Sequence, residues 1–79
     1  MFYIYIIESS SYGTYYVGCT DNVSRRFEEH TNNQSAYTKN KGPWILKHTE
    51  EYQSLSEARK REKQIKGWKS RKSIERLWK

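Results

Sequence analysis

The run Phe2 to Glu8, FYIYIIE, is built of β-branched and aromatic residues and reads as a strand buried on both faces. The chain has 79 residues, enough for one domain (1–79) with a single thin core, so this strand dominates what can be built around it. Hydrophobic residues make up 34% of the chain and mean hydropathy is −1.14, so aromatics must supply much of the burial. Seven tyrosines and three tryptophans meet that need and exclude a disordered chain. Cys19 is the single cysteine, which rules out an internal disulfide; one thiol and two histidines are too few for a structural zinc site. The apolar N-terminal stretch ends at Ile7, too short for a signal peptide or a membrane span, and a reducing cytoplasm is the expected location.

After the first strand, Ser9 to Gly13 reads as a turn and Thr14 to Cys19 as a second strand, forming a hairpin. Asp21 is a suitable N-cap for a helix from about Asn22 to His30 or Thr31. Residues Thr31 to Lys41 are polar and loop-like and end in Gly42-Pro43; Trp44 to Tyr52 fits a third strand. Ser54 and Glu57 form a capping box that starts a helix running from Leu55 to about Lys66, with Gly67 as its stop. Ser70 caps a short last helix whose Ile74, Leu77 and Trp78 can return to the core. The order β-β-α-β-α-α predicts an α+β fold, a three-stranded antiparallel sheet with helices packed on it.

Charge is distributed unevenly. Residues 1–40 carry three basic and four acidic side chains, whereas residues 41–79 carry twelve basic and five acidic. From Arg59 to Lys72, eight of fourteen residues are basic. That asymmetry favours a polyanionic partner, nucleic acid before membrane, because the apolar face of the basic helix is narrow and needed by the core. Leu55, Ala58 and Ile65 mark that face, and Glu62 falls inside it. A carboxylate there needs a positive side chain or a metal ion to meet it. On the first helix Val23 and Phe27 face inward, and Arg26 and His30 fall in the same ~100° arc, while Arg25 points away. The sheet offers Tyr3 and Tyr5 on one face of the first strand, and Tyr16 on the second. Each residue has a structural reading: tyrosines fill cores, Arg26 can pair with Glu62, Glu62 with a neighbouring lysine, and a lone His30 can be a satisfied buried histidine. Together, beside a basic surface, they suit phosphodiester chemistry: a hard oxygen for Mg²⁺ or Mn²⁺, a guanidinium for phosphorane charge, and groups that move protons.

These elements resemble a GIY-YIG nuclease domain, and specifically its short stand-alone bacterial members. The first signature stands as Tyr3-Ile4-Tyr5 and the second as Tyr16-Val17-Gly18. Thr20 to Arg26 and the Glu57-Ala58-x-x-x-Glu62-x-x-Ile65-Lys66 segment follow in family order, so the resemblance spans about Phe2 to Trp68. It implies a three-stranded antiparallel sheet flanked by helices and metal-dependent hydrolysis of DNA. Matched position by position, the resemblance assigns catalytic roles to Tyr5, Tyr16, Arg26, His30 and Glu62, with Glu62 holding the Mg²⁺ or Mn²⁺. Tyr5, assisted by His30, would orient or deprotonate the attacking water; Arg26 would stabilise phosphate charge, and Tyr16 would position the scissile group. Two positions depart from the pattern: Tyr3 replaces the first signature's glycine, and Cys19 replaces the lysine that follows the second signature in repair enzymes.

Lys60, Lys63, Lys66, Lys69, Arg71 and Lys72 are the expected contacts to the nucleic-acid backbone, salt-sensitive and without sequence readout. The superfamily usually gains targeting from an attached DNA-binding domain. Its absence here implies selection of nicked, flap or branched DNA by shape, or a targeting partner protein. The competing expectation is a nucleic-acid-binding module without catalysis on the same fold. Trp44 and Trp78 are expected to pack, while Trp68 is left between core packing and base stacking.

Overall fold

A computed structural model describes residues 1–32, 42–68 and 70–79. The expected polar loop between the first helix and the third strand lies almost wholly outside the described residues, as does Lys69. Three strands, β1 (Phe2–Ser9), β2 (Tyr15–Thr20) and β3 (Trp44–Tyr52), form one antiparallel sheet in the order β2-β1-β3. β1 is therefore the central strand, and its alternate residues feed two separate cores. Ile4 and Ile6 face Val17, Ala58 and Ile65 on one side; Tyr5 and Ile7 face Trp44 on the other, with Val23 and Phe27 packed against them. This two-sided burial is the reason the N-terminal run lacks the polar alternation of a half-exposed strand.

Helix α1 (Val23–Thr31) covers the Tyr5 face and α2 (Leu55–Lys66) the Ile4 face. The short α3 (Arg71–Glu75) follows, and Ile74, Leu77 and Trp78 do pack back onto the core. Trp44 is 5% exposed, as its packing role requires.

Local signals behave largely as their chemistry dictates. The Ser54 hydroxyl accepts from the Glu57 backbone N–H at 3.2 Å, the capping box read from the sequence. At α1 the cap is Asn22 rather than Asp21: the Asn22 Oδ1 accepts from the Arg25 N–H at 3.0 Å, while Asp21 binds the Arg25 guanidinium at 2.6 Å. Asn caps as well as Asp, and one residue of phase decides which is used. Between β1 and β2, Gly13 takes φ +71°, the left-handed conformation the turn requires. Leu55, expected on the buried stripe, is 38% exposed, because only Ala58 and Ile65 reach the sheet.

Candidate active site

β1 and β2 pair with Tyr5 opposite Gly18 and Ile7 opposite Tyr16, so Tyr5, Gly18 and Tyr16 share the face covered by α1. The Tyr5 ring lies directly across Gly18. A Cβ added at Gly18 would come within 2.3 Å of the Tyr5 Oη and 2.4 Å of its Cζ. Glycine is thus a steric requirement of the tyrosine opposite it. Beyond Gly18, the Tyr5 hydroxyl meets the His30 Nε2 at 2.8 Å. His30 is fully buried, and its ring packs against both Tyr5 and Tyr16, at centroid distances of 5.6 and 5.0 Å.

Burial and then the nearby Arg26 charge push the His30 imidazole down to about 4, so it is neutral at physiological pH. A neutral imidazole has one donor and one acceptor nitrogen, so the tautomer sets the direction of this bond: the Tyr5 O–H donates to a bare Nε2, or an Nε2–H donates to the Tyr5 oxygen. Burial also raises the Tyr5 phenol well above its ordinary value, against the opposing pull of Arg26. Arg26 bonds Glu29 at 2.8 Å; that bond first, and then the Tyr5 and Tyr16 hydroxyls, hold its guanidinium protonated. The Arg26–Glu62 pairing open in the sequence does not form. Glu62 instead bonds Lys66 at 2.7 Å, one turn along α2.

Arg26 and Glu62 sit on helices that cover opposite faces of the sheet, yet both line one cleft of about 540 Å³. The route between them is the outer edge of β2, which no strand of the described residues pairs. Tyr16, Gly18 and Cys19 line the cleft along that edge, with Tyr5 behind them. His30 is not on the cleft wall; it supports Tyr5 from within. Glu62 is half-buried, its side chain 20% exposed, and is the one carboxylate lining the cleft. Arg59, Lys63 and Lys66 complete a basic rim.

Arg59 was not among the expected contacts, although it lies three residues before Glu62 and so on the same side of α2. It also brings positive charge next to Cys19. Burial first, and then the Glu62 carboxylate, push the Cys19 thiol up, so it stays neutral and does not replace a lysine's charge. The other expected backbone contacts divide. Lys63 and Lys66 line the cleft, whereas Lys60 lies in a separate hollow with Tyr52, Arg61 and Gln64. Lys72 is exposed on α3. Arg71 is engaged within the fold: it binds Glu8 at 2.7 Å and Glu75 at 3.2 Å, donates to the Gly13 carbonyl, and stacks over Tyr15 at 4.4 Å.

A second polar cluster lies on the opposite face. Glu50 accepts from Tyr52 at 2.6 Å and from the Arg61 Nε at 2.9 Å, and meets His48 at 2.9 Å. Burial would raise its carboxyl, but Arg61, Tyr52 and His48 outweigh burial and bring it down to about 2. This is a structural staple between β3 and α2, away from the cleft.

Residues 1–75 match the model of the GIY-YIG catalytic domain. The chain belongs to the GIY-YIG family. It is 48% identical over 67 residues to a UPF0213 protein of Halobacterium salinarum, covering 84% of this chain and 86% of that one. A UPF0213 protein of Syntrophus aciditrophicus is 44% identical over 66 residues, covering 81% and 75% of the two chains. The solution NMR structure of a UPF0213 protein from Bacillus halodurans superimposes with a TM-score of 0.60 at 35% identity, covering 98% of this chain and 82% of that one. The three-stranded antiparallel α+β architecture is therefore that of a solved UPF0213 relative, and Tyr5, Gly18 and Tyr16 all lie within the residues matched to the family.

Proposed function

We propose that this protein is a divalent-metal-dependent endonuclease that hydrolyses DNA phosphodiester bonds and selects its substrate by structure rather than by sequence. The observation that carries the reading is the convergence of Tyr5, Tyr16, Arg26 and Glu62, from four elements, on one basic cleft. A phosphodiester anion entering it meets Arg26, Arg59, Lys63 and Lys66 before it meets any carboxylate but Glu62.

Among the described residues no three His, Cys, Asp or Glu groups gather as a metal cage. The donor set fits an ion that takes one carboxylate and keeps water and phosphate oxygens for the rest, as Mg²⁺ and Mn²⁺ do. Glu62 would hold it. Lys66, which pairs with Glu62 now, is 52% exposed, so the pair is weak and exchangeable. Once bound, such an ion polarises the phosphate and neutralises charge that builds on its oxygens.

The remaining chemistry belongs to the side chains. A phenol raised above its ordinary pKa does not act as a standing phenolate, so Tyr5 is not a base by itself. It can accept a proton from water only as it passes its own on, and the His30 Nε2 lies 2.8 Å away on that path; burial makes this imidazole a weak base, so it relays the proton rather than holding it. Arg26, held charged by Glu29, stabilises the pentacovalent phosphorus, and Tyr16 positions the scissile group. The rival reading, a binding module without turnover, draws on the Glu62–Lys66 pair, which occupies the one carboxylate of the cleft. The nuclease reading places the protein with DNA in the cytoplasm, with a targeting protein as the alternative to intrinsic shape selection.

The test is strand cleavage on end-labelled linear, nicked, flap and branched DNAs with Mg²⁺, Mn²⁺ or EDTA. Glu62→Ala, purified identically, exposes contaminating nuclease. Metal-dependent cuts by the wild type alone are expected. Salt-sensitive binding by folded protein with no cut on any substrate would move the assignment to the binding module.

A further inference from the structure

A second groove, of about 510 Å³, opens beside the cleft. Three consecutive residues of β2, Tyr15, Tyr16 and Val17, line it. Successive strand residues point to opposite faces, so only the strand's outer edge can present all three. Ile65, Trp68 and Ile74 form its other wall, and Lys66 is its single cation among the described residues. The groove is aromatic and aliphatic where the cleft is basic. The two share Tyr16 and Lys66, and the cleft continues along the same edge through Gly18 and Cys19. The two therefore adjoin along one strand edge, as the base and the phosphate of one nucleotide adjoin.

We infer that this groove is a subsite for an unpaired nucleobase, whose own phosphate lies in the basic cleft. The inference rests on the cleft being the phosphate site of the proposed nuclease. The two surfaces differ in chemistry as the two ends of one nucleotide do: Arg26, Arg59 and Lys63 suit the anion, and Trp68 and Ile74 suit a flat apolar ring, whereas the Tyr15 ring is already covered by Arg71 and Trp78. Arg61 already lies over the Trp68 ring, 5.3 Å from its centroid, which fixes the indole in place. A base stacked and paired inside a duplex cannot reach the groove. The substrate class is therefore DNA with a single-stranded or extruded nucleotide at the cut, as in flaps and frayed ends, with Trp68 as the residue that selects it.

The closing experiment measures binding in EDTA, so it does not depend on turnover. Fluorescence anisotropy compares a fluorescein-labelled oligothymidylate with an abasic strand of equal length and charge. Stacking of a base changes affinity by roughly 5- to 150-fold, so wild type is expected to bind the abasic strand at least ~5-fold more weakly. Trp68→Leu, with folding checked by circular dichroism, is expected to erase that difference and leave the salt dependence unchanged. Photo-crosslinking of wild type to a bromodeoxyuridine-substituted strand needs no variant, and is expected to label Trp68 or Tyr15. Equal wild-type affinity for both strands, or crosslinks confined to residues outside the groove, overturns the subsite. Base-dependent binding without cleavage on any substrate would retain the subsite while the nuclease assignment falls; cleavage with base-independent binding would do the reverse.

Discussion

Gly18→Ala should destabilise the protein severely, although it adds one methyl group. The new Cβ would lie 2.3 Å from the Tyr5 Oη, 2.4 Å from Cζ and 2.7 Å from Cε1, against an ordinary carbon contact of about 3.5–4.0 Å. The ring must therefore shift by about 1 Å or more. It has nowhere to go, because Tyr5 is 1% exposed and His30 behind it is fully buried. Forcing the ring aside carries an overpacking cost of ~1–3 kcal/mol. Breaking the 2.8 Å Tyr5–His30 hydrogen bond strands a buried polar group, for a further ~1–3 kcal/mol. The sum, ~2–6 kcal/mol, lowers Tm by at least ~10 °C in a domain of this size. Thermal and urea melts followed by far-UV circular dichroism read it directly. Tyr5→Phe should not rescue the variant, since Cζ remains in the way. Tyr5→Leu should, so that Gly18→Ala costs little further in that background and the two sites show a coupling of ~2 kcal/mol or more. A Gly18→Ala protein within ~0.5 kcal/mol of wild type would refute the steric argument.

Other consequences can be checked with the same preparations. The unfolded chain takes up the His30 proton near pH ~6.5 and the native chain only near about 4, so the stability from a neutral His30 is full above ~6.5 and is lost as pH falls toward 4. Denaturant titrations should show a fall of ~2–3 kcal/mol between pH ~7 and ~4.5, and His30→Gln should flatten most of it. Glu50, brought down to about 2, adds a loss below about pH 4.5. Arg61→Met, which strands that carboxylate, should cost ~2–3 kcal/mol at neutral pH by urea melt, and an unchanged midpoint would count against the staple. Glu62→Gln should leave stability within ~0.5 kcal/mol while abolishing metal-dependent cleavage, because the partner it loses is a half-exposed lysine. In salt titrations of DNA binding, Lys63→Ala and Lys66→Ala should each reduce the slope of log K against log salt by roughly one, and Arg71→Ala should not, although it lowers Tm.

The expected backbone contacts differ in what the tertiary structure does with each side chain. Lys63, Lys66 and Arg71 look alike in the sequence, yet Arg71 is drawn into the fold by Glu8 and Glu75, which lie 63 residues before it and 4 after. Glu50 likewise reads as an ordinary strand carboxylate until Arg61 and Tyr52 close around it. His30 was legible as an inward-facing residue on α1, but its hydrogen bond to Tyr5 depends on how α1 lands on the sheet.

What the sequence determined by itself is what local geometry and short-range chemistry decide. A strand without polar alternation must be covered on both faces, and Phe2 to Ser9 is. A Ser-x-x-Glu box must satisfy helix N–H groups, and Ser54 does. Helical periodicity turns Arg26 toward Tyr5 and Tyr16, and holds Glu62 between buried Ala58 and Ile65. Only the tertiary structure decided that those two side chains, on helices packed against opposite faces, line one cleft around the outer edge of β2. It also decided that Gly18 serves the ring of Tyr5 and that Leu55 remains exposed. Periodicity fixes which way a residue points from its own element, whereas the partner it finds depends on strand order and helix placement, set by the packing of the whole chain.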